Sequence, residues 1–142
     1  MSSVLCLWKY PNYLIDKSQG LLTGNPAFNS HQSRLHSATQ LGEKAFLVTY
    51  LDGRCYLVGR IVVKEKYFNE PDYEYGEFGI QGETPESSYY QFGSIDITDI
   101  LRKLYFKSGK RIDKSKRPLS LHLQTIREVT DDDVALLDSC IP

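Results

Sequence analysis

Residues 42–65, GEKAFLVTYLDGRCYLVGRIVVKE, decide how this chain folds. Two apolar runs flank Asp52-Gly53, a pair that tolerates the positive φ angles of a two-residue hairpin turn. Such a turn sets Leu51 opposite Arg54, Tyr50 opposite Cys55, Val48 opposite Leu57 and Phe46 opposite Gly59. Side chains alternate between the two faces of a strand. Phe46, Val48, Tyr50, Cys55, Leu57, Ile61 and Val63 therefore gather on a core face. Ala45, Leu47, Thr49, Leu51, Arg54, Tyr56, Val58 and Arg60 share the other face, whose mixed character suits a sheet partly covered on its second side. A slip of one residue would turn Arg54 and Arg60 inward, so the register is well specified. The strand glycine, Gly59, marks a bend or a close backbone approach.

Outward from the hairpin, the rest of the chain reads as one domain. It has 142 residues, 41% hydrophobic and 25% charged, which is ordinary for a globular chain and enough for a core of its own. Residues 4–10 form a first strand that ends at Pro11. Residues 12–40 are polar, with a short helix around 29–39. Residues 67–90 form a long connection, with strands near 73–80 and 88–92. Ile97, Ile100, Leu101 and Leu104 make an apolar stripe at helical spacing, so 95–106 reads as a helix. Residues 119–129 read as a strand, with Leu119, Leu121 and Leu123 on one face. Thr130 and Asp133 form a variant capping box that opens a last helix at 131–139.

Charge excludes some functions and suggests others. The formal net charge is −1, so the whole chain is no electrostatic nucleic-acid glue. It is unevenly placed, however. Residues 102–117 hold eight basic residues against Asp113, a local +7, and residues 65–86 hold seven acids against Lys66, a local −6. Such asymmetry suits an oriented partner surface. Cys6, Cys55 and Cys140 form no metal-type pair, and reduced thiols suit a cytoplasmic protein. The opening MSSVLCLWKYPN has too short an apolar run for a secretory leader, and no apolar stretch approaches membrane-spanning length, so no membrane partner is expected.

Catalytic patterns fail one by one. His31 and His36 are five apart and do not share a helical face, and no Cys/His/Asp cluster has metal spacing. Gly76, Gly79 and Gly82 repeat at three-residue spacing without the Gly-Lys-Ser/Thr of a phosphate loop. No nucleophile elbow is present. The expectation is a non-catalytic module without metal or cofactor.

A binding constellation remains. Trp8, the only tryptophan, ends the first strand, and Tyr10, Asn12 and Tyr13 follow it. Asn29, Ser30, His31, Gln32, Ser33 and Arg34 then crowd polar groups into a short loop. Aromatic faces with amide and hydroxyl donors are the kit that holds an unstacked base. A core role for Trp8 and a solvated helix start at 29–34 are the plain alternatives.

The order of these motifs resembles a family. The Trp at the end of the first strand is followed by a polar loop with an Arg and by the Leu41-Gly42-Glu43-Lys44 step into an apolar strand. Leu57-Val58-Gly59-Arg60-Ile61-Val62-Val63 comes next. Ile126-Arg127-Glu128-Val129-Thr130, Asp133 and Leu136-Leu137 close the pattern. This resembles the EVE-like branch of the PUA-like superfamily, relatives of the YTH domains. The opening LWKYPN and the segment 67–92 depart from that pattern. The resemblance implies an α+β fold, with a small curved or barrel-like, mostly antiparallel sheet and short flanking helices. It implies a non-catalytic pocket for a nucleobase, often a modified one. By position, Trp8 would be the aromatic wall, Asn29, Ser30 and Arg34 would border the pocket, and Thr49 and Tyr50 would lie beneath it; Tyr10 and Asn12, next to Trp8, join them as pocket candidates. Lys103, Lys107, Lys110, Arg111, Lys114, Lys116 and Arg117 would meet phosphate in DNA or RNA. The alternative is a protein-interaction module whose basic segment meets an acidic partner.

Overall fold

A computed structural model describes residues 2–113 and 119–142. In chain order the elements are β1 (Ser3–Leu7), α1 (Tyr10–Ser18), β2 (Ala27–Ser30), α2 (Arg34–Ser37), β3 (Lys44–Leu51) and β4 (Arg54–Val62). Then come β5 (Glu65–Phe68), β6 (Phe78–Gln81), β7 (Ser88–Tyr89), α3 (Thr98–Leu101), α4 (Leu119–His122), β8 (Arg127–Val129) and α5 (Asp131–Ser139). The architecture is α+β, with two sheets of mostly antiparallel strands and short helices. Strand order is β7-β4-β3-β1-β8 in the larger sheet and β2-β6-β5 in the smaller. No closed barrel is formed among the described residues.

The hairpin organises the larger sheet. Asp52 and Gly53 take φ angles of 51° and 82°, the turn that their side chains permit. Leu51, Tyr50 and Val48 face Arg54, Cys55 and Leu57, as expected. Beyond Val48 the register shifts, so that Leu47 faces Gly59 and Phe46 faces Arg60. The expected Phe46–Gly59 pair is thus corrected by a bulge in β4, which spends one extra residue and reverses the faces beyond it. Ile61 and Val63 consequently pack with Ala45 and Leu47, not with Phe46 and Val48.

Both faces of this sheet are covered, more completely than the mixed second face suggested. On one side, Phe46, Val48, Cys55 and Leu57 meet Leu101, Leu104, Phe106, Ile112, Leu119 and Leu123. On the other, Ala45, Leu47, Val58 and Ile61 meet Trp8, Tyr13, Phe28, Leu35 and Ile80. Each fully buried side chain of this kind contributes roughly 1.5–3 kcal/mol of burial. The second core lies between the two sheets, and β4 leads through Val63 and Lys64 into β5 of the smaller sheet. The Lys64 N–H donates to Gln81 O at that corner.

Several sequence expectations are corrected. Pro11 does not stop a strand; it lies in the first turn of α1, where a missing N–H leaves no hydrogen bond unmade. Residues 29–39 divide into the end of β2 and the four-residue α2. The helix expected over 95–106 is four residues long, although Ile97, Leu101 and Leu104 are buried as the stripe required. Residues 119–129 begin as a helix: Leu119 and Leu123 are buried while Leu121 is 42% exposed. That is a spacing of four, not two.

The last helix forms over the expected residues, and Asp133 does more than cap it. The Thr130 hydroxyl accepts from the Asp133 N–H at 3.1 Å, and the Asp133 carboxylate accepts from the Thr130 N–H at 3.0 Å. The same carboxylate, 1% exposed, also accepts from the N–H groups of Tyr105 (2.8 Å) and Phe106 (2.9 Å). One buried charge thereby ties the basic segment to the C-terminal helix.

Candidate functional site

A surface concavity of about 700 Å³ opens on the Trp8 side of the five-stranded sheet. Its lining comes from three places. The end of β1 and α1 contribute Trp8, Lys9, Asn12 and Asp16; β2 and the turn after it contribute Phe28, Asn29, Ser30, His31 and Gln32; the loop before β6 contributes Tyr73, Glu74 and Tyr75. Leu7, Gln19, Leu21, Leu22, Ala27, Tyr89 and Gln124 also line it.

Trp8 is both wall and anchor. It is 7% exposed and meets Tyr13 edge-on at 5.1 Å, Tyr89 at 5.9 Å and Phe28 at 6.2 Å between ring centroids. Its main-chain N–H donates to Val48 O at 2.7 Å, which fastens the end of β1 to the hairpin. The core reading of Trp8 holds, and the same residue lines the concavity.

β2 presents a main-chain edge to the cleft. The Gly82 N–H donates to Pro26 O at 2.9 Å. Alternation then aims the main-chain groups of Pro26, Phe28 and Ser30 at β6, and those of Ala27 and Asn29 the other way. The Tyr89 hydroxyl occupies Ala27, accepting from its N–H at 2.9 Å and donating to its carbonyl at 3.1 Å. Asn29, the next outward-facing residue, presents its N–H and C=O at the cleft. Its side-chain Oδ1 accepts from the Tyr67 hydroxyl (3.0 Å) and from Asn69 Nδ2 (2.8 Å). The Ser30 hydroxyl accepts from the Gln32 N–H at 3.0 Å. Gln32 spans to residues 124–126, donating to Gln124 O at 2.9 Å and accepting from the Ile126 N–H at 2.8 Å. The rim is built from fixed parts.

Gly76 brings the third wall in. Its φ is +114°, and a Cβ there would lie 2.0 Å from the main-chain carbon of Ser30. Only a glycine permits this approach, which seats Tyr73, Glu74 and Tyr75 beside β2. The His31 ring, exposed, hydrogen-bonds Glu74 O through Nε2 at 2.9 Å. The charged lining comprises Lys9, Asp16 and Glu74. Burial pushes the Asp16 carboxyl and the Tyr89 hydroxyl above their ordinary pKa values.

The structure brings together four of the eight expected pocket residues: Trp8, Asn12, Asn29 and Ser30. The other four lie elsewhere. Tyr10 packs with Tyr13 and Phe92, at 6.4 and 5.3 Å. Arg34 lies 3.7 Å from Glu128. Thr49 is fully buried on the cleft side of the sheet, its hydroxyl without a partner among the described residues. Tyr50 points the other way, against the opposite core. Residues 73–75 were not anticipated, although the alternation of tyrosine and acid over 72–75 was the available signal.

The basic segment belongs to the far face. Leu104, Phe106 and Ile112 pack under Phe46 and Val48, away from Trp8. Lys103, Lys107 and Lys110 are exposed there. Arg111 donates to Arg102 O at 2.8 Å and lies 5.0 Å from the Tyr105 ring centroid. Arg127 donates to Lys110 O and covers the Phe106 ring. Lys114, Lys116 and Arg117 lie outside the described residues. The two surfaces meet around the β8 edge, where Leu123 belongs to the far core and Gln124 to the cleft.

Reactive groups are otherwise engaged. Cys6 and Cys55 are fully buried, and burial pushes the Cys6 thiol far up and that of Cys55 up to about 12. His36 and His122 hydrogen-bond main-chain carbonyls of Gly79 (2.7 Å) and Asp113 (3.0 Å). Among the described residues no group of three or more His, Cys, Asp or Glu is placed to hold a metal. No helix among them is long and apolar enough to cross a membrane.

No family model and no curated protein matches the chain. Among solved structures, the chain is similar to the NMR structure of Rpa0253 from Rhodopseudomonas palustris, a structural-genomics target. The TM-score is 0.52 at 13% identity, covering 99% of this chain and 92% of that one. At this identity the likeness shows a shared fold.

Proposed function

We propose that this is a single, non-catalytic PUA-like module, of the EVE-like kind, that reads a nucleobase in nucleic acid, and that it works in the cytoplasm. The observation that carries the reading is the cleft where Trp8, Asn12 and the Asn29 main chain converge beside Tyr73 and Tyr75. A flat ring can stack on tyrosine faces while its edge meets a fixed N–H and C=O pair. Two sheets of mostly antiparallel strands with short helices are the coarse α+β architecture that this reading requires. Both fully buried cysteines suit a reducing compartment.

Phosphate contacts position such a complex while the pocket specifies. Because the basic segment lies around the β8 edge, the backbone of a bound strand would leave the cleft past Gln124 to reach Lys110 and Arg111. The test is a titration of single-stranded oligonucleotides, with and without modified bases, at two salt concentrations. Trp8→Phe with Asn12→Ala should remove base preference. Lys110→Glu with Arg111→Glu should weaken all sequences alike and reduce the salt dependence. Wild-type binding by both double variants would refute the reading.

A second reading is a protein-interaction module. It is favoured by the separation just described, since the basic surface on the far face is complete without the cleft. An acidic peptide that binds wild type but not the Lys110→Glu, Arg111→Glu variant, with no oligonucleotide competing, would decide for it.

A further inference from the structure

The cleft is lined by aromatic rings, yet its charged groups are mainly acidic: Asp16 and Glu74 against Lys9. None of the three forms an ion pair among the described residues. The Asp16 carboxylate accepts no hydrogen bond there either, although the residue is half-buried in the cleft beside Tyr75 and Tyr89. A carboxylate withdrawn from water without a partner is costly to keep ionised, and the raised pKa of Asp16 reports that cost. Glu74, itself exposed and met by the Tyr75 hydroxyl, lies between the two cleft tyrosines, whose rings meet edge-on at 5.6 Å. Phosphate would be repelled here, whereas a cation would be drawn to the carboxylates and to the faces of the aromatic rings at once.

We propose that the cleft selects a base carrying positive charge, such as an N-alkylated purine cation, over its neutral parent. This rests on the base-reading proposal above and adds the class of base. The neutral parent gains stacking and edge contacts alone. The cation gains these and neutralises a partly buried carboxylate. The ligand's phosphates stay outside, so adding a 5′-phosphate to the nucleoside should not tighten binding in the cleft.

Trp8 is the only tryptophan and stands in the cleft wall, so its emission reports occupancy. The experiment titrates the full chain at neutral pH with 1-methyladenosine, whose ring is cationic, and with adenosine, whose ring is neutral. The expected result is roughly tenfold tighter binding of the cation. In the Asp16→Asn, Glu74→Gln variant that ratio should fall towards one, with the larger loss on the cation. Equal affinities in wild type would overturn the charge preference and leave base reading standing, and so would a ratio that the folded variant keeps. Binding of neither nucleoside or their oligonucleotides would overturn both proposals. A trimethyllysine peptide binding in that case would reassign the cleft to a cationic peptide.

Discussion

The two faces of the five-stranded sheet are built from the same strands but to different ends. The far face is closed by short helices and loops and is held by charge. Asp133 gathers three main-chain N–H groups, and Asp138 receives Lys44 at 2.6 Å and Arg60 at 2.8 Å. The Trp8 face is closed by rings and a second sheet, and it leaves a cleft where these do not meet. Buried charge with full hydrogen bonding fixes a segment in one place. Aromatic packing fills volume without using every donor, so the outward main-chain groups of Asn29 are left at the cleft. The comparison teaches that the far face holds Asp133 and Asp138 in hydrogen bonds, whereas the cleft leaves the Asp16 carboxylate without one among the described residues.

The most damaging way to break this contrast is at Trp8. Trp8→Ala removes the shared anchor of core and cleft and should cost about 3–5 kcal/mol in urea unfolding. A cost under about 1 kcal/mol would mean that Trp8 is a mere cleft ornament. Asp133→Ala acts on the far face and strands three donors. It should cost about 2–4 kcal/mol, with ligand binding by the folded fraction unchanged. If binding were lost at equal folded fraction, the two faces would be coupled.

Acid should separate the faces by sign. Burial pushes the Asp138 carboxyl up, but hydrogen bonds and charge from Lys44 and Arg60 outweigh it and hold the pKa below the ordinary carboxylate range. A depressed folded-state pKa gives stability that is present above the unfolded value and lost as pH falls through the folded one. Asp96 behaves alike: burial raises it, and Thr98 and Arg54 lower it further. Asp16, raised by burial, acts oppositely and gains relative stability on protonation. Thermal melts across the acid range should fall less for Asp138→Asn than for wild type. Asp16→Asn should melt at or above wild type near neutrality. A steeper acid loss in Asp138→Asn would contradict the pairing. The smallest effect is expected from Lys110→Glu with Arg111→Glu, within about 0.5 kcal/mol of wild type, since both side chains are exposed.

Legibility in the sequence followed the range of the interactions. The Asp52-Gly53 turn, the pairs next to it and the Thr130–Asp133 box were readable because each is settled within a few residues. The bulge was not, because it answers to packing on both faces of β4. Leu119, Leu121 and Leu123 alternate in sequence, yet the space under the sheet admits a helical turn that buries only the first and last. Half of the expected pocket was legible as a cluster of aromatic and amide residues after the first strand. Tyr50 and Thr49 were misplaced because adjacent strand residues face opposite sides. The Tyr73–Tyr75 wall was missed because its position depends on Gly76 touching Ser30, 46 residues away.

By itself, then, the sequence determined a hairpin-centred α+β chain with a capped last helix, an aromatic and polar cluster near Trp8, and a basic segment apart from an acidic one. Local turn chemistry and hydrophobic periodicity suffice for that. The tertiary structure alone decided that the described part of the basic segment and the cleft occupy opposite faces, that the acidic segment supplies a cleft wall, and that Asp16 stands there without a partner among the described residues. These depend on which strand lies beside which, and a contact between distant residues leaves no periodicity in the chain.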